Sequence, residues 1–216
     1  MIFFRNPYKN NRMRALESVT IIKQKLTPEK FDIEYPFIQN DNSDKVISKI
    51  NNNIIDEVSK LFRSQVLLPE EVDFNEIFGT YEIMLNNDDI LSILFSMYTY
   101  VNKAAHGVTA YSSLTVNTKT GQLYSFNDLF NPKMNYIPII NEISKQYIKD
   151  NNIPLINEYN GITKDQQFYL TEDKLVIYYQ PYEYTPGYYG IFKIEIPYDK
   201  IKNLITPLSP ISKLMV

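Results

Sequence analysis

The chain has no cysteine and no tryptophan, a single histidine, and only six glycines in 216 residues. Without cysteine there is no disulfide framework, no zinc–thiolate site and no thiol nucleophile. One histidine rules out a multi-histidine metal site, and any Ser-His-Asp relay would have to be built on His106. No G-x-S-x-G elbow is present to offer it a serine. The scattered glycines form no phosphate cradle. No apolar run approaches the roughly 18 residues that a membrane-spanning helix needs. Charge of one sign is also lacking. A net charge of -3 gives no basic stripe for nucleic acid. The one basic cluster, Arg5, Lys9, Arg12 and Arg14, reads as a solvated arm.

What is present is ordinary for a globular domain: 44% hydrophobic and 22% charged residues. The opening stretch, MIFFRNPYKNNRMRALES, has three apolar residues after Met1 before Arg5 interrupts, too few for a signal-peptide core. This predicts a cytoplasmic protein if Met1 is the native start, and an extracytoplasmic one if the chain is a piece of a longer protein. Residues 1–16 read as a loosely held arm.

Hydrophobic periodicity gives the elements. SVTIIKQKLT (18–27) suits a strand, and FDIEYPF (31–37) alternates with Phe31, Ile33, Tyr35 and Phe37 on one face. Asn42, Ser43 or Asp44 is placed to cap a helix. That helix carries Val46, Ile47, Ile50, Ile54, Ile55, Val58, Leu61 and Phe62 at helical spacing and stops before Pro69, Glu70 and Glu71. Three consecutive antiparallel strands follow. The first contains Tyr81, Ile83 and Leu85, the second is ILSILFSMYTYV (90–101), and the third is VTAYSSLTVN (108–117). On the second, Leu91, Ile93, Phe95, Met97 and Val101 share a face that a helix should cover.

In the second half, residues 131–150 place Ile137, Ile140, Ile143, Tyr147 and Ile148 on one side of a helix, with Pro138 confined to its first turn. A hairpin turns at Thr171–Lys174, YGIFKIEIP (189–197) forms the last strand, and Pro197 opens a short terminal helix. The order β-β-α-β-β-β and then α-β-β-β-α predicts an α+β fold. Antiparallel sheets and segregated helices lie in two closely associated subdomains, 17–117 and 118–207, with 208–216 as a tail.

Candidate functional residues are few. Glu70–Glu71 and Asp88–Asp89 read as turn ends, and NDNSDK (40–45) lacks the glycine and distal glutamate of a calcium loop. The stretch YYQPYEYTPGYYG (178–190) holds six tyrosines. Glu183 sits among them, where desolvation would favour an acid role, although no second carboxylate is placed opposite it. Alternation gives Leu175, Ile177 and Tyr179 one face and Val176 and Tyr178 the other. The expected contact residues are Tyr182, Glu183, Tyr184, Tyr188 and Tyr189, with His106 either fixing a bend beside Gly107 or touching a ligand.

Two stretches together resemble a known family. AAHGVTAYSSLTVNTKTGQLYSFNDLF (104–130) is similar to its AHG–strand–TG–DLF pattern, with Ala104 where many relatives have glycine. FYLTEDKLVIYYQPYEYTPGYYGIFKIEIPYDKI (168–201) is similar to its closing hairpin and its IPY helix start. These are features of domain of unknown function 3298, commonly preceded by domain of unknown function 4163. The resemblance spans about residues 18–207. Such pairs form the extracytoplasmic part of lysozyme-sensing anti-sigma factors of the RsiV type, and related domains accompany peptidoglycan deacetylases of the PdaC type.

The resemblance implies an α+β fold and a non-catalytic, sensor-like binding module of Gram-positive cell-envelope stress. Its partner would be a protein such as lysozyme, or a cell-wall glycan. No cofactor, metal or nucleic acid is expected. The chain shows neither a transmembrane helix nor a sigma-binding segment. The alternatives are a cell-wall glycan hydrolase or deacetylase-associated domain, with Glu183 as acid and His106 nearby, and a purely structural or assembly role.

Overall fold

The computed structural model describes residues 19–27, 29–39, 45–67 and 72–215. The N-terminal arm, the cap candidates Asn42, Ser43 and Asp44, and Pro69–Glu71 lie outside the described residues. Strand β1 (Ile21–Leu26) pairs antiparallel with β2 (Phe31–Ile38), and helix α1 (Lys45–Val66) follows. Because a 22-residue helix carries the chain back across the sheet, β3 (Phe74–Asn87) enters parallel to β2, pairing Phe31–Ile33 with Ile77–Gly79. This is the one parallel junction in an otherwise antiparallel sheet of order β1-β2-β3-β4-β5. β4 (Ile90–Val101) leaves β3 through Asp88–Asp89, both at positive φ (51° and 62°), as a two-residue hairpin turn requires. β5 (Val108–Asn117) completes the sheet.

The predicted face of β4 packs under α1: Leu91, Ile93, Phe95 and Met97 are buried with Ile50, Ile54 and Leu61. Ile55, expected on the same helix face, stays largely exposed. The alternation of β2 also slips near Pro36, and Ile38, not Phe37, joins this core. Asn51 of α1 closes the strand there by bonding both backbone groups of Ile38, at 2.8 and 3.0 Å.

The opposite face of β4 is buried too. A second, three-stranded antiparallel sheet lies across it, with order β6 (Phe168–Leu170), β7 (Lys174–Tyr179) and β8 (Phe192–Pro197). Leu94 packs there against Tyr169, Val176 and Tyr178. A register shift in β3 between Ile83 and Leu85 turns Leu85 to this side, where it joins Ile90. Small hydroxyl residues let the sheets approach closely. The Leu170 N–H donates to Ser92 Oγ at 3.0 Å, and Ser113 Oγ donates to the Phe168 carbonyl at 2.5 Å.

The alternation of β7 holds as read. Val176 and Tyr178 face the large sheet, while Leu175, Ile177 and Tyr179 enter a second core with Ile140 of α2 (Tyr136–Asp150). The result is four layers: helix, five strands, three strands, helix. Pro197 precedes α3 (Tyr198–Ile201) as expected. The stretch set apart as a tail instead folds as α4 (Pro210–Leu214), because Ile211 is apolar enough to bury fully in the second core.

Candidate functional site: an aromatic ridge where two loops meet

The β7–β8 crossing begins with a tight turn at Gln180–Glu183. The Glu183 N–H donates to the Gln180 carbonyl at 3.1 Å, and the Gln180 N–H donates to Glu183 Oε2 at 3.0 Å. Tyr182, inside this turn, is held at φ 68°, an uncommon conformation for an aromatic residue. Its side chain therefore leaves the turn outward, and the residue is 52% exposed. Glu183 is exposed and its carboxylate serves the turn. No ring shields it, so the desolvation expected from its tyrosine neighbours does not arise.

Tyr184 turns the other way. It was expected to be exposed, but only 8% of its surface is accessible. Its ring meets Tyr179 edge-on at 4.8 Å and Tyr159 at 5.3 Å, and its carbonyl accepts from the Ile156 N–H at 2.9 Å. Tyr159 also shares a 2.8 Å hydroxyl contact with Tyr179, whose phenol is pushed well above its ordinary pKa by burial. This tyrosine cluster is core, so Tyr184 is removed from the contact surface. The 151–162 segment that supplies Tyr159 has no periodicity to announce it.

The crossing then makes a short turn at Gly187–Tyr189. Tyr188 is 83% exposed, and Tyr189 is half anchored by an edge contact with Phe192 at 6.2 Å.

His106 lies in the β4–β5 loop, exposed, with Nδ1 3.0 Å from the Gly107 carbonyl. Its ring stacks on Tyr182, with centroids 6.2 Å apart and planes at 20°. Gly107 is needed for space and not for an unusual dihedral, since a Cβ there would fall 2.2 Å from the Tyr98 ring. Gly187 plays the same part beneath Tyr182, where a Cβ would fall 2.1 Å from the ring. The two loops thus lock into one outward ridge: Tyr98 over Gly107, His106 against Tyr182, Tyr182 over Gly187, then Tyr188. On the neighbouring strand Phe78, directly opposite Tyr98, is also largely exposed.

The structure brings together His106, Tyr182 and Tyr188 of the residues singled out from sequence, with Tyr189 at the margin. Sequence reasoning missed Tyr98 and Gly187 as supports. Tyr98 sits on the solvent phase of an alternating strand, which was the available signal. Chemically the ridge offers ring faces, hydroxyls and one imidazole on a convex surface. Among the described residues no group of three or more His, Asp or Glu is placed to hold a metal. No helix among them is long and apolar enough to cross a membrane.

Residues 127–199 match the family described as "Protein of unknown function (DUF3298)". Across 208 residues the chain is 27% identical to the anti-sigma-V factor RsiV of Bacillus subtilis (strain 168), covering 89% of this chain and 72% of that protein. It is 21% identical over 182 residues to the peptidoglycan-N-acetylmuramic acid deacetylase PdaC of the same organism, covering 81% of this chain and 38% of the deacetylase. Two solved DUF3298 family structures share the fold. The one from Bacteroides fragilis NCTC 9343 has a TM-score of 0.63 at 13% identity, covering 93% of this chain and 98% of that one. The one from Pseudomonas aeruginosa PAO1 has a TM-score of 0.63 at 13% identity, covering 90% and 97%. The family match includes the tyrosine-rich crossing but not His106.

Proposed function

We propose that this chain is a non-catalytic, sensor-like binding module that grips a protein ligand through the His106–Tyr182–Tyr188 ridge. The observation that carries this reading is the stack of His106 on Tyr182, which fixes two loops into one exposed aromatic surface. Aromatic side chains give large contact area at low entropic cost and dominate binding hot spots. The ridge is also convex, whereas a reaction centre gathers polar groups in a cleft. Similarity to the anti-sigma-V factor supports a sensor role, with lysozyme as the first partner to try. Such a partner places the module outside the cytoplasm in a Gram-positive cell under envelope stress. Under the same proposal, residues 17–117 form the accompanying domain of unknown function 4163.

The test is direct binding of the purified chain to lysozyme and, separately, to peptidoglycan fragments. The Tyr182→Ala/Tyr188→Ala variant is expected to lose at least about tenfold in affinity with its fold intact. Equal binding by the variant overturns the reading, as does turnover of a glycan that Glu183→Gln abolishes.

A further inference from the structure

A second concave surface lies between the 161–167 loop and the end of β7, with a volume of about 170 Å³. Tyr178, Tyr179 and Tyr184 form its base, and Thr163, Asp165, Gln167 and Glu183 its rim. The rim is held from behind. The Tyr178 hydroxyl lies 3.0 Å from Gln167 Oε1, and Glu183 Oε2 is fixed by the Gln180 N–H at 3.0 Å. Buried Gln166 donates to the Tyr178 carbonyl at 3.1 Å, and Asn141 accepts from the Ile162 N–H at 2.8 Å. The groups that remain are an amide NH2, a threonine hydroxyl, the Asp165 carboxylate and the second oxygen of Glu183. None has a hydrogen-bond partner among the described residues. Positioned polar groups without partners, over an aromatic base, form a recognition surface made before its ligand arrives.

We infer that this cleft is a subsite for one neutral sugar unit. The rim carries donors and acceptors together, which suits neighbouring hydroxyls that both donate and accept. Two carboxylates and no lysine or arginine in the lining exclude an anion. A simple cation would leave the amide and hydroxyl donors unused. The volume is below the roughly 300–1,000 Å³ of drug-sized pockets, so a single ring fits better than a chain. Tyrosine beneath a polar rim receives the C–H face of such a ring.

This inference uses rim residues apart from Tyr182 and Tyr188, so it stands or falls separately from the ridge. The experiment is a titration of the full chain with N-acetylglucosamine, with glucose and with arginine amide, followed by backbone amide chemical shifts. Saturable shifts at Thr163, Asp165 and Gln167 with either sugar are expected. They should be about tenfold weaker or more in Asp165→Ala, since a hydrogen bond to a charged group is lost, and weakened in Thr163→Val. The Tyr182→Ala/Tyr188→Ala variant should bind the sugar as the parent does. No saturation with either sugar, unchanged binding in both rim variants, or saturation by arginine amide alone overturns the inference. Both rim side chains are exposed, so the variants remain folded and the comparison is clean.

Discussion

The side chain of Gln180 pairs with the backbone of Tyr111 as a neighbouring strand would. The Tyr111 N–H donates to Gln180 Oε1 at 2.9 Å, and Gln180 Nε2 donates to the Tyr111 carbonyl at 2.8 Å. One side chain thus ties the start of the β7–β8 crossing to β5. Gln180→Ala leaves both Tyr111 groups unpaired at a half-buried site. Stability should fall by about 1–3 kcal/mol, measured by urea denaturation, with faster hydrogen exchange across 181–190. An unchanged midpoint would mean that water replaces the pair without cost.

Gly187→Ala tests the ridge without removing an aromatic. The new Cβ would stand 2.1 Å from the Tyr182 ring, which must swing off His106. Because the displaced atoms are the exposed end of a side chain, the melting temperature should barely move. Affinity for the partner should fall about as far as in Tyr182→Ala. A variant that binds normally would show that the stacked geometry is not what the partner recognises.

Two tyrosines four residues apart should respond in opposite ways. Tyr184→Ala opens a cavity among Tyr159, Tyr179 and the second core, at a cost of about 3–5 kcal/mol. Tyr188→Ala changes a solvated side chain and should stay within about 0.5 kcal/mol of the parent. Paired denaturation curves decide this.

Asp89 accepts from Lys119 at 3.0 Å and from Lys213 of α4 at 3.4 Å, linking the β3–β4 turn to the C-terminal helix. The Lys119 hydrogen bond in first place, then the charges of both lysines, hold its carboxyl below the ordinary value of 3.8. A depressed folded-state pKa adds stability that is present above the unfolded value and is lost as pH falls through the folded one. Asp89→Asn keeps the shape of a residue that tolerates positive φ. It should lower stability at neutral pH by no more than about 1 kcal/mol, since the pair is partly solvated. The gap between the two proteins should close in acid and shrink in high salt. A gap that persists at low pH would assign the loss to the turn and not to charge.

Much of the architecture was legible because it rests on local periodicity. The alternation of Leu175 to Tyr179 announced a strand packed on both faces. The spacing of Ile50, Ile54 and Leu61 announced a helix on a sheet, and Asp88–Asp89 between apolar runs announced a hairpin. Each of these signals is complete within a few residues. The parallel entry of β3, the shift that turns Leu85 to the other side and the burial of Ile211 depend on segments far apart in the chain, and no local pattern carries them.

The tyrosine-rich crossing shows the same division. The sequence by itself determined that 178–190 would be aromatic, interrupted by proline and glycine, and placed between two strands. The tertiary structure decided which rings are surface. Tyr159 arrives from outside the stretch to enclose Tyr184, and His106 arrives from the other half of the chain to steady Tyr182 in the open. A tyrosine ring with its hydroxyl is stable in either setting, so its own chemistry does not choose. The choice belongs to whichever neighbour the fold brings against it.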